Sequence, residues 1–139
     1  MKHILGDQDT HIIVCERGED ALRELKQFCA EQKIAAGWFQ MIGAAGEVEF
    51  AWYNLETKEF EWAILKEDVE IASLSGNVST LDNDIVLHCH GVFSNRKMAV
   101  KAGHVRRLVV SGACEIILRE FSGKMNRVYD ENTGLNLLS

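Results

Sequence analysis

The sequence predicts an α+β protein: a mixed, largely antiparallel sheet of six or seven strands, with one main helix packed on one face. Three observations carry this. Apolar residues recur at helical spacing in only one segment, residues 19–32. Elsewhere they alternate with polar residues, or form short runs rich in Val, Ile, Phe and Trp. The chain also has 11 Gly and no Pro, so its turns must rely on Gly, Asn, Asp and Ser.

Along the chain, "HIIVCER" (11–17) is short and β-branched and reads as a first strand, broken by Gly18. In "EDALRELKQFCAEQK", Ala21, Leu22, Leu25, Phe28, Cys29 and Gln32 share one helical face. Glu19 and Asp20 are expected in its first turn, where negative charge suits the helix dipole. "WFQMI" reads as a buried strand ending at "GAAG" (43–46). "EVEFAWYN" alternates, with Val48, Phe50 and Trp52 on one face and Glu47 and Glu49 on the other. "KEFEWAIL" repeats the pattern with Phe60, Trp62 and Ile64, and "NLETKE" joins the two as a hairpin. "VEIASLSGNVS" and "DIVLHCHGVF" are further strands, and "RRLVVSGACEIILREF" supplies one or two more around Gly112. The tail "NRVYDENTGLNLLS" has no firm assignment. One helix covers only part of one sheet face, so the other face needs a closed barrel or another subunit.

With 139 residues, the chain is expected to form one domain over 1–139. Hydrophobic residues make up 47% and charged residues 26%, as in globular proteins. The net charge of −6 argues against unaided nucleic-acid binding, which needs clustered cations. Cys15, Cys29, Cys89 and Cys114 form no Cys-x-x-Cys pair, which argues against a cysteine-based zinc site. No signal-peptide-like apolar segment is visible near the start, and a cytoplasmic, reducing location is expected. "LVVSGACEIIL" is too short and interrupted to cross a bilayer.

The chemistry concentrates in "IVLHCHGVFSNRKMAVKAGHV" (85–105). Strand alternation puts His88 and His90 on one face, with Ile85, Leu87, Cys89, Gly91 and Phe93 opposite as a core row. The histidines therefore lie on the face that the helix leaves uncovered. His-x-His plus one more distant histidine is a spacing used by three-histidine zinc sites, which leave a fourth position open. The segment "SNRKMAVK" (94–101) reads as a loop that brings His104 back, and Gly103 permits a close backbone approach. Neutral imidazole suits Zn, Ni, Cu or Fe alike, so the pattern points to a divalent metal, zinc among them, without fixing which. The same residues also fit a hydrogen-bonded polar patch at an interface.

Glu115, inside "ACEIIL", and Glu70, in "VEIASLSG", are weaker candidates for a general base or a histidine partner. Arg96, Lys97, Lys101, Arg106 and Arg107 form a local basic cluster, the feature that would favour DNA. His3 and His11, in a polar segment, read as solvated. No nucleophile elbow, phosphate loop or dinucleotide fingerprint is present.

Several motifs together resemble the plant and prokaryote conserved domain, which in plants accompanies AT-hook segments. They are "GEDALRELKQFCAEQKI", "MIGAAGEVEFAWYN", "VEIASLSGNVS", "LHCHGVFS" and "AGHV", in that order, over roughly residues 10–121. The resemblance implies an α/β domain assembled as a homotrimer, with His88, His90 and His104 meeting near a subunit boundary. It departs from the plant pattern in two places. The Arg-Gly-Arg-Pro hook is absent, and "EDVEIA" stands where the plant proteins have Gly-Arg-Phe-Glu-Ile-Leu. The resemblance thus points to a stand-alone domain whose histidine-lined pocket binds a divalent metal or small ligand. The other readings are a DNA-binding or DNA-associated regulator and a metal-dependent enzyme.

Overall fold

The computed structural model describes residues 1–139. Its elements run β1 (Lys2–Asp7), β2 (Thr10–Glu16), α1 (Ala21–Gln32), β3 (Gly37–Asn54), β4 (Glu59–Leu65), β5 (Val69–Leu81), β6 (Asp84–Asn95), β7 (Val100–Glu120), β8 (Arg127–Asp130) and β9 (Leu135–Leu138).

The helix starts at Ala21, so Asp20 is its N-cap and Glu19 precedes it rather than lying in the first turn. The Asp20 side chain accepts hydrogen bonds from the N–H groups of Leu22 and Arg23, satisfying donors that have no partner within the helix. Its apolar face, Ala21, Leu22, Leu25, Phe28 and Cys29, is buried. Lys33, left-handed at φ 61°, ends it.

Seven strands form the main sheet in the order β1-β2-β7-β6-β5-β3-β4, and β3 pairs with β7 as well. The pairings β3–β5–β6–β7–β3 make a closed ring, so of the two ways to cover the second face this chain uses closure. Every strand pairing is antiparallel rather than mixed. A parallel pair needs a long crossover. The only helical connection, α1, joins β2 to β3, and these two lie on opposite sides of β7. Phe39, Met41, Leu74, Phe93, Leu108 and Leu118 are among the fully buried side chains of the core. β6 and β7 pair only where His90–Ser94 meets Val100–His104, and α1 packs against both strands. Two backbone hydrogen bonds, Gly18 N–H to Val110 O (2.8 Å) and Val110 N–H to Glu19 O (2.9 Å), tie the helix start to β7.

Two strand expectations need correction. β3 does not end at Gly43–Gly46; it continues to Asn54 as an 18-residue strand. Register shifts around Gly43 and Ala45 bend it past β7, and only glycine fits at position 43. Gly43 has φ 140°, and a Cβ there would lie 2.9 Å from Cys114 Cα. A further shift between Glu49 and Phe50 breaks the simple alternation. Val48 and Phe50 pack on the core, but Ala51 is buried and Trp52 is 65% exposed. β7 runs unbroken through Gly112 as one 21-residue strand. Beyond the sequence reading, β1 extends the sheet edge, and the tail folds as the β8–β9 hairpin. No helix is long and apolar enough to cross a membrane.

Gly76 on β5, opposite Cys89 of β6, sits where the core leaves no room for a side chain. A Cβ there would meet the His88 carbonyl oxygen and lie 2.5 Å from Cys89 Cβ and 2.7 Å from Phe39 Cζ. We expect Gly76→Ala to destabilise the fold by about 1–3 kcal/mol, the usual cost of overpacking. The check is the midpoint of urea unfolding against the parent protein.

Candidate metal centre

The three histidines meet because two strands carry them in register. His88 and His90 sit two positions apart on β6, so their side chains share a face. His104, on β7, is the direct cross-strand partner of His90. The ring centroids lie 5.3 Å apart for His88–His90, 5.2 Å for His88–His104 and 5.5 Å for His90–His104. One ring nitrogen from each lies within 4.8 Å of the others.

No flexible loop delivers His104. Much of residues 94–101 is strand, and the reversal is a tight turn over Arg96–Ala99. Asn95 pins that turn: its side-chain oxygen accepts from Lys97 N–H (3.0 Å) and Ala99 N–H (3.1 Å). Gly103 performs the expected role, since a Cβ there would lie 2.7 Å from the Ala51 carbonyl oxygen on β3.

The histidines line a cavity of about 520 Å³. Aromatic groups from the β3–β4 hairpin wall one side, with Phe60 4.8 Å from His104 and Tyr53 4.7 Å from Phe60 between ring centroids. Leu135 and Leu137 of β9 wall another. Burial pushes the His104 imidazole down to about 4, helped by His88, His90 and Arg127. Burial likewise lowers His88, with Arg127 and His90 adding to it. Both rings are therefore neutral at neutral pH, the form that donates a lone pair to a metal.

Arg127 is the site residue the sequence reading missed. It lines the cavity from β8. Its Nε–H donates to Ser79 Oγ (2.7 Å), one terminal nitrogen to Asn77 Oδ1 (2.9 Å) and the other to the Asn136 carbonyl (2.7 Å). In sequence, one arginine in a polar tail looks no different from a solvated one.

Neither carboxylate candidate lines the cavity. Glu115 is exposed, eleven positions along β7 from His104, roughly 35 Å at strand rise. Glu70 is exposed on β5, opposite Ser94. The basic cluster divides. Arg106 stacks over Trp62 (3.7 Å) and pairs with Glu49 (2.7 Å). Arg107 pairs with Glu47 and Asp20. Arg96, Lys97 and Lys101 stay exposed at the β6–β7 turn. The N-terminal histidines are not simply solvated either. His3 is exposed but stacks on His11 and Phe28, and both ring nitrogens of His11 are buried without a hydrogen-bond partner. All four cysteines are buried and unpaired.

A closed antiparallel barrel with three imidazoles on adjacent strands defines the class of this chain, and comparison with known proteins agrees. Residues 4–122 match the Plants and Prokaryotes Conserved (PCC) domain, and the chain belongs to that family. A metal-containing protein of Archaeoglobus fulgidus is 32% identical, with TM-score 0.89 over 99% of this chain and 96% of its own. A plant- and prokaryote-conserved protein of Pyrococcus horikoshii is 30% identical, with TM-score 0.89 over 99% and 94%. A Bacteroides thetaiotaomicron protein described as a candidate DNA-binding protein is 27% identical, with TM-score 0.94 over 97% and 94%. No curated protein matches.

The depressed histidines fix the sign of a pH effect. An unfolded chain protonates His104 below its ordinary value of 6.5, whereas the folded chain resists until about 4. Stability therefore falls as the pH drops through that window. We expect the melting temperature of metal-free protein to decrease from pH 7 to pH 4.5, and His104→Gln to flatten part of that slope. Thermal melts of both proteins across the range are the check.

Proposed function

We propose that this chain is a trimeric, cytoplasmic domain that binds one divalent metal ion, zinc first, through His88, His90 and His104. The observation that carries the reading is the strand register that sets three imidazoles within chelating distance, with a cavity opening beside them. The metal-containing relative supports it. Three imidazoles fit a divalent ion that keeps a fourth position for water or ligand. Such an ion would supply Lewis acidity there, and this chain's residues would orient a ligand and keep bulk water out. No Asp or Glu lines the cavity, which favours ligand binding over an enzyme using Glu115 or Glu70 as its base.

The DNA-associated reading draws on the described role of the Bacteroides relative and on the exposed Arg96, Lys97 and Lys101. It is the weaker one, because Arg106 and Arg107 are occupied by acidic partners and the chain carries −6 overall.

The trimer explains the outer surface. Trp38 (46% exposed), Ile42 (57%) and Ile117 (44%) stand on the outer face of β3 and β7, which pair directly there. Apolar patches of this kind mark association sites. Light scattering at micromolar concentration should return a trimeric mass; a monomeric mass removes this part of the proposal.

Zinc titration by calorimetry tests the metal. The parent protein should bind one ion per three-histidine cluster at pH 7, and binding should weaken as acid protonates the ligands. His104→Ala should fold yet lose about 100-fold or more in affinity, since two ligands remain. Equal affinity in both proteins would remove His104 from the site, and no heat in either would sink the metal reading.

A further inference from the structure

We infer that the cavity beside the histidines takes a small organic carboxylate with an apolar body. Its oxygens would meet Arg127, and its body would lie among Tyr53, Phe60 and Leu137. The inference deepens the proposed metal site and rests on it only for the ligand's reach toward the ion's open position; Arg127 carries the anion selectivity by itself.

A guanidinium has five N–H donors. Three are used by Ser79, Asn77 and Asn136, which leaves one N–H on each terminal nitrogen. Arg127 is half-buried, and no carboxylate pairs with it. A cation taken partly out of water without an anion is electrostatically uncompensated. The surrounding wall offers no relief, since it contains no Asp or Glu, and a bound metal ion would only add positive charge. The missing negative charge must arrive with the ligand.

The shape of the need selects among anions. The two remaining N–H groups lie in the one guanidinium plane, and a carboxylate brings two oxygens to accept them. The rest of the wall is aromatic and aliphatic, including Phe60, Leu135 and Leu137. A phosphate would set its remaining charged oxygens against those carbons, whereas an aryl or branched alkyl group buries favourably there. The cavity, about 520 Å³, is of the size that small-molecule sites use. The three bonds that Arg127 makes also hold the guanidinium in place, so little ordering is needed when the ligand binds.

The test titrates benzoate, its uncharged counterpart benzamide, and inorganic phosphate into metal-free and zinc-loaded protein. Binding is read by saturation-transfer NMR and by the fluorescence of Trp52, which lines the cavity. Benzoate should bind, with benzamide and phosphate weaker by about tenfold or more, the scale of one charge-assisted contact. Arg127→Gln should lose benzoate by a similar factor while zinc binding is not weakened, because the substitution removes a positive charge near the histidines. If that variant fails to fold, the benzoate–benzamide comparison on the parent protein still decides. No benzoate binding at millimolar concentration, equal affinity for benzamide, a preference for phosphate, or unchanged benzoate binding in Arg127→Gln would each overturn the inference. Benzoate binding to a protein that takes up no zinc would remove the metal reading and leave this one standing.

Discussion

The pairing of β3 with β7 is the constraint on which the rest of the molecule depends. β7 runs from Val100 to Glu120 and pairs with β2, β3 and β6 in different stretches. Its bond to β3 turns an open sheet into a closed ring and so creates an inside for the core. The same strand carries His104 and holds it against His90 on one side and Ala51 on the other. Core and site are thus built on one strand, and a slip of one residue in its register would turn the imidazole to the opposite face.

Burial does two things at His88 and His104. It removes water that would compete for their lone pairs, and it penalises their protonated form. Arg127 reinforces this, since its positive charge disfavours a second one nearby. The exposed side of the cluster is managed differently. Trp62 sits between His104 and Arg106, and Arg106 is held by Glu49. Cationic charge outside is matched by an acid, whereas the guanidinium inside is not.

Much of this was legible in the sequence where local periodicity carries the information. The helix, the β3–β4 hairpin and the shared face of His88 and His90 each follow from residue spacing. The family match over residues 4–122 agrees with the ordered motifs. What local spacing could not supply was register. "SNRKMAVK" looks like a loop because its residues are polar, yet Asn95 tightens it into a short turn and the flanking residues pair as strands. The bulges of β3 hid the continuity of that strand and the exposure of Trp52. Arg127 was invisible because its partners, Asn77 and Ser79, lie some fifty residues earlier. His11 was misread because the aromatic ring that shields it, Phe28, belongs to the helix.

The tight turn at Arg96–Ala99 has a further consequence for the order in which the molecule assembles. All three imidazoles belong to one hairpin and are close in sequence. The walls of their cavity come from Ala51, Phe60 and Leu137, far away along the chain. Short-range contacts form at less entropic cost than long-range ones, so the hairpin should precede ring closure. The nascent chain would then present the three-histidine hairpin before it possesses a pocket. A metal ion captured at that stage would stabilise the partly folded hairpin as well as the finished barrel. Its net contribution to native stability would be smaller than its affinity for the native site suggests.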